Sequence, residues 1–246
     1  LTTKLTFNHF GSTAPQNESL NPQPHPTNPR HDPRRAVFKS NMNSTIWDLA
    51  WEASDALTFE NRVIYTDFNI NRPTAYNIQY AEIDGQEVHV EPVVRFGGAD
   101  SRLHGLAGLR YFHGTQDEFV NIFGGSTFKD KTDTHSAFAE LTYALTPQVD
   151  VTAASRLERE HRRRDGGSQA VRIDFDETYT VFLPKLDVAW KPTDTQTYGA
   201  KIARGYNAGG GGITIGTPVV SYTYGSEYVW NYELYTRHHL KDANVV

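Results

Sequence analysis

Between Ser136 and Arg156 apolar and polar residues alternate, pause at Leu145-Thr146-Pro147-Gln148, and then alternate again. Ala137, Ala139, Leu141 and Tyr143 share one face, opposite Ser136, Phe138, Glu140 and Thr142. Beyond the pause, Val149, Val151 and Ala153 continue the apolar face against Asp150, Thr152, Ala154 and Arg156. Successive side chains of a strand point to opposite sides of a sheet. The pattern therefore predicts a long antiparallel hairpin with one greasy surface and one mostly polar surface. The unit recurs along the chain, with short turns alternating with long polar connections. Together these features predict an all-β fold, part of an antiparallel transmembrane β-barrel: roughly ten strands of a larger barrel.

Composition is compatible with that prediction and excludes the other membrane architecture. Hydrophobic residues make up 38% of the chain, and no run approaches the roughly 20 apolar residues of a spanning helix. A barrel needs apolar residues only at alternate positions, so modest hydrophobicity is expected of it. A net charge of -5 gives no overall basic footprint for nucleic acid. With Cys 0, disulfides and thiolate metal sites are excluded.

Strands are predicted over 1–10, 36–53, 57–72, 83–97, 103–113, 135–145, 149–162, 178–191, 197–206 and 226–240. Long polar connections are predicted at 11–35, 73–82, 114–134, 163–177 and 207–225. Several strands exceed the roughly 9–11 residues needed to cross a bilayer obliquely. The soluble alternative, a carbohydrate-binding β-sandwich, is built from strands of about 5–6 residues. Trp51, Trp190 and Tyr198 cluster beside short turns, while Tyr65, Tyr111, Tyr228 and Trp230 sit near long-connection ends. These form two aromatic belts, as at the two interfaces of a membrane. The chain, 1–246, reads as barrel domain throughout and as an internal piece of a longer protein.

The run Pro184-Lys185-Leu186-Asp187-Val188-Ala189-Trp190-Lys191-Pro192, followed by Ala203-Arg204-Gly205-Tyr206-Asn207-Ala208-Gly209-Gly210, resembles the late barrel of TonB-dependent outer-membrane receptors. Segments of that family read P-x-L-x-x-x-W-x-P and then R-G-Y-x-A-G-G. Glu227 to Leu234 is similar to the family's next strand, and Ala137 to Tyr143 to one of its middle hairpins. The resemblance implies a piece of a ferric-siderophore receptor in a Gram-negative outer membrane, in contact with outer-membrane lipid. It also implies a plug domain, here absent from the chain, and a TonB-type complex that supplies energy through the plug. The family's full barrel has about 22 strands. An ungated porin-like channel is the alternative that needs neither plug nor tight site.

Arg156 to Asp165 is the densest charge run. Two readings stand for it: attraction of an anionic ferric chelate, or pairing of acids and bases along a strand rising out of the membrane. Arg156, Arg162 and Arg164 share the lumenal parity and are the ligand-binding candidates, with Tyr222 and Tyr224 as rings for an aromatic chelate or for the plug. Gly209 to Gly212 lacks the Lys-Ser/Thr of a phosphate loop and reads as the start of a flexible loop. Glu140, Lys185, Asp187, Lys201 and Glu233 fall on the lumenal parity. They read as a cross-strand charge ladder or, as the resemblance implies, as docking points for the plug. Arg204 falls on the outward parity, which requires a bulge there or a strand end already among headgroups. No metal site is expected, because adjacent His238 and His239 point to opposite faces. No cofactor and no catalytic residues are expected, since no triad or pocketed carboxylate pair emerges.

Overall fold

The computed structural model describes residues 1–15, 37–72, 81–98, 101–121, 124–214, 218–240 and 243–245. An up-and-down meander runs through β1 (Thr2–Pro15), β2 (Val37–Ser54), β3 (Leu57–Arg72), β4 (Ala81–Phe96) and β5 (Leu103–Val120). It continues through β6 (Ser126–Thr146), β7 (Val149–Gly167), β8 (Arg172–Thr193) and β9 (Gln196–Asn207). A small separate sheet pairs β10 (Gly210–Ile213) with β11 (Ser221–Tyr224). The main sheet then resumes with β12 (Glu227–Leu240), paired to β9, and ends at β13 (Ala243–Val245). Every main-sheet pairing is antiparallel and, β10–β11 aside, between sequence neighbours. Strands of this length in one continuous sheet are not the two stacked layers of a sandwich.

The two faces follow the predicted parity. On β6 and β7, Leu141, Tyr143, Leu145 and Leu157 are all exposed on the same side, as are Leu186, Val188 and Trp190 of β8. So many large apolar side chains left open on alternate positions require a nonaqueous neighbour. The band has a sharp upper edge. Ala137 pairs with Leu157, and on the next rung of the same face His135 pairs with Arg159. Above it the face carries Asp133, Lys131 and Lys129 opposite His161, Arg163 and Asp165.

Predicted connections 114–134 and 163–177 are largely strand. β5 runs on to Val120 and β6 starts at Ser126, while β7 runs on to Gly167 and β8 starts at Arg172. With charges on both faces these segments lack greasy alternation. They are strands because the charges pair across rungs and because Phe128, Ile173 and Phe175 form a small buried cluster there. At its 21 residues, β6 is about twice as long as a bilayer crossing requires, so its upper half stands beyond the apolar band. Of connection 11–35, the first residues belong to β1 and 16–36 lie outside the described residues; of 73–82, residues 73–80 do so.

At the opposite end the sheet ladder continues into the short turns. Gly97 N donates to Ala56 O at 2.9 Å, Ala144 N to Arg102 O at 2.8 Å, Lys191 N to Gln148 O at 2.7 Å and His239 N to Thr195 O at 2.8 Å. Gly97 has φ +93, a conformation that favours glycine at this turn. Aromatic rings are paired across strands beside these turns. Trp51 stacks on Phe59 at 5.4 Å, and Trp190 meets Tyr198 at 5.7 Å. Near the other edge of the band Tyr206 meets Tyr228 at 5.6 Å. The β9–β12 register runs unbroken through Arg204 opposite Trp230, so no bulge rescues Arg204. Its guanidinium instead lies 4.1 Å over the Tyr228 ring and donates to Phe182 O at 3.4 Å.

Candidate functional site

The polar face carries charges in ordered rows. Above the pair Lys191–Asp150 beside the short turns, Lys201 meets Glu233 at 2.6 Å, and Lys185 meets Glu140 at 2.9 Å. Asp187 accepts a hydrogen bond from the Tyr235 hydroxyl at 2.9 Å. The residues singled out as docking points are thus assembled into a ladder with one another and with Tyr235.

Two of these bonds skip a strand. Glu140, Ala154 and Lys185 stand on one rung of β6, β7 and β8, so the Lys185–Glu140 bond passes over Ala154. Tyr235 of β12 reaches Asp187 of β8 across Gly199 of β9, where an added Cβ would lie 2.2 Å from the ring. The same device recurs with the Phe68 ring over Gly85 and the Phe138 ring over Gly108. At each of these places a ring lies flat on the wall and its partner strand supplies a glycine.

Higher up, Arg164 is held by two carboxylates, from Nη1 to Asp130 Oδ2 at 2.6 Å and from Nη2 to Glu118 Oε2 at 2.6 Å. Its guanidinium lies 4.7 Å over the Phe128 ring. Burial works against the Arg164 charge, yet the hydrogen bonds to Glu118 and Asp130 outweigh it and push its pKa up. Burial, the largest influence on Asp130, raises its carboxyl above the ordinary value, against the pull of Arg164. One guanidinium therefore holds two acids, one of which is costly to keep ionised. Burial likewise raises Glu160, against the fields of Arg162 and Arg110. Arg162 Nε stands 3.5 Å from Glu160, and its Nη1 donates to Gly209 O at 3.1 Å. Arg156 Nη2 meets Glu158 at 2.6 Å.

The two concavities between these rows share Phe112, Thr132 and Arg162. One, of about 280 Å³, reaches Arg164, Asp130, Phe68 and Tyr224. The other, of about 450 Å³, reaches Arg110, Glu158, Glu160 and Tyr206. Arg162 and Arg164 therefore line one continuous polar hollow, whereas Arg156 lies one rung below it, bonded to Glu158.

The run Gly209 to Gly212 is not a flexible loop start. Gly210 to Gly212 belong to β10, whose partner β11 sets Tyr224 opposite Gly210 and Tyr222 opposite Gly212. A Cβ on Gly210 would meet the Tyr224 hydroxyl at 2.5 Å, and one on Gly212 the Tyr222 hydroxyl at 2.8 Å. Gly211 faces the other way, onto Ile173 and Phe175. The glycines form a strand thin enough to lie between the buried cluster and the two tyrosines, which remain exposed with ring centroids 6.4 Å apart.

Several site residues escaped the sequence reading. Glu118 and Asp130 fell in a segment predicted as loop. Arg110 and Tyr206 sit in strands, but nothing local marks them. The alternation Phe128, Asp130, Thr132, Thr134 and Ser136 was the available signal for an extended β6, obscured by Lys129, Lys131 and Asp133 on the other parity.

A family model for TonB-dependent receptor-like β-barrels matches residues 1–245. Among solved structures, the ferric yersiniabactin uptake receptor FyuA from Yersinia pestis is similar with a TM-score of 0.68 at 16% identity, over 85% of this chain and 35% of that one. The ferric preacinetobactin receptor BauA from Acinetobacter baumannii gives 0.66 at 12% identity, over 83% and 36%. The alcaligin outer-membrane receptor FauA from Bordetella pertussis gives 0.66 at 13% identity, over 96% and 37%. The chain spans little more than a third of the length of these proteins. At such identities the likeness is one of fold. The sheet is a sector of a transmembrane barrel wall, with its apolar face toward lipid and its polar face toward the lumen.

Proposed function

The chain belongs to the TonB-dependent receptor β-barrel family, and from that membership we propose that it is part of a receptor importing a ferric siderophore across a Gram-negative outer membrane. The observation that carries the reading is the family match over residues 1–245 on a sheet whose lumenal face is charged, ordered and hollowed. Transport in this reading is binding and gating, without covalent chemistry by the barrel. The receptor's plug domain fills the lumen and docks against the row formed by Glu140, Lys185, Asp187, Lys201 and Glu233. Each of these pairs is partly exposed and so contributes little individually, which suits contacts that must be loosened and remade. A TonB-type complex supplies the energy through the plug. The hollow around Arg162 and Arg164, with Tyr224 at its rim and Tyr222 beside that ring, receives the chelate.

The test is uptake of radioactive iron presented as ferric siderophores to cells whose only receptor is the full-length protein containing this chain. Uptake is expected with an intact TonB-type system and lost without it. Energy-independent leakage of small solutes instead would identify an ungated porin-like channel and overturn the reading.

A further inference from the structure

Four arginines line the two hollows, and Arg162, Arg163 and Arg164 each have a carboxylate partner in direct contact. Arg110 has no such contact among the described residues; only its field reaches Glu160. It stands on β5 directly opposite Ser136, whose Oγ is buried and without a hydrogen-bond partner. Tyr206 also lines the larger hollow, but its hydroxyl is buried away from it. A half-buried guanidinium with unused donors is costly unless something accepts from it. The carboxylates nearby are already engaged, Glu158 by Arg156 and Glu160 by Arg162.

We propose that Arg110 is the anchor for an anionic oxygen group of the incoming ferric chelate, a carboxylate or a catecholate. Arg156, Arg162 and Arg164 are then framework: they shape the hollow but spend their donors on the wall. A planar guanidinium matches a pair of anionic oxygens, so the anchor selects chelates that present them over cationic trihydroxamates. This inference rests on the reading of the protein as a ferric-chelate receptor.

The experiment uses the purified full-length receptor and three radioactive probes: ferric citrate, a ferric tris-catecholate and a cationic ferric trihydroxamate. At least one of the two anionic chelates is expected to bind. Arg110→Gln is expected to weaken it on the order of tenfold or more, Arg110→Lys to restore part of the loss, and the outward-facing Arg159→Gln to leave it unchanged. In parallel, phenylglyoxal labelling read by mass spectrometry is expected to modify Arg110 before Arg156, Arg162 and Arg164. Binding of an anionic chelate that Arg110→Gln leaves intact, or tight binding of the cationic probe alone, overturns the anchor and leaves the receptor reading standing. Failure of all three probes to bind counts against the receptor reading. In that case an Arg110 slower to label than its neighbours overturns the anchor independently.

Discussion

Lys185 bonds Glu140 across the full width of an intervening strand, passing over Ala154, which stands between them on the same rung. The bond exists because Ala154 is short. Ala154→Leu is expected to part the two charges while leaving both present. Because each side chain is about a third or more exposed, the pair itself contributes no more than about 1 kcal/mol. A double-mutant cycle of Glu140→Gln and Lys185→Gln, read by urea unfolding of the full-length receptor in detergent, checks this. The coupling is expected in the original background and absent in the Ala154→Leu background.

Gly199 and Tyr235 make the same argument with a ring. Gly199→Val places a Cβ where the ring now lies, so the ring must leave the wall and the bond to Asp187 must break. Overpacking of this kind costs about 1–3 kcal/mol. Tyr235→Phe keeps the ring flat and loses only the hydrogen bond, about 1 kcal/mol. Unfolding midpoints are expected to rank Gly199→Val below Tyr235→Phe, and the reverse order would mean that the ring's position is not held by the glycine.

The faces are tested at neighbouring residues. Leu141 is exposed on the apolar face, while the Thr142 hydroxyl lies 2.8 Å from that of Thr152 on the lumenal side. Leu141→Arg is expected to destabilise folding into lipid vesicles by about 2–4 kcal/mol, and Thr142→Arg by less. Equal costs would contradict the assigned parity.

The Arg164 cluster gives a pH dependence whose sign follows from Asp130. Its carboxyl is raised in the folded protein, so the folded state takes up a proton at higher pH than the unfolded chain does. The group's contribution to stability therefore grows as pH falls through the raised value toward the ordinary aspartate value, and is unfavourable above it. Asp130→Asn is expected to flatten this dependence and to leave stability at neutral pH unchanged or improved, since Glu118 still holds Arg164. Arg164→Gln leaves two neighbouring acids without their shared partner and is expected to cost about 1–3 kcal/mol. Amide hydrogen exchange at 126–134 and 160–167 between neutral and mildly acid pH checks both variants.

Much of the wall was readable from sequence. The faces of Ala137 to Tyr143 and Val149 to Ala153, and the turns near Ser54 and Pro147, follow from a period of two and from turn residues. The upper wall was not, because Lys129, Lys131 and Asp133 turn the outer face polar above the band, and a strand polar on both sides looks like a loop. The glycine run was misleading for a related reason. Whether glycine marks freedom or a thin strand beneath a ring depends on Tyr222 and Tyr224, which lie on another strand. The site was only partly legible. A charge run displays Arg156, Arg162 and Arg164, but the Arg164 partners Glu118 and Asp130 come from other strands. Arg110 matters for what it lacks, and only the assembled register reveals that.

The backbone bonds that join each short turn to the next have a mechanical consequence. A load placed on one turn, such as Ser54 to Ala56, passes sideways through Gly97 into the neighbouring turn before it can peel a strand from the sheet. Along the described part of this rim the turns behave as links of a hoop rather than as separate hinges. On the proposed reading, in which a TonB-type complex pulls on a plug inside the barrel, such a rim keeps the wall in shape while the plug moves.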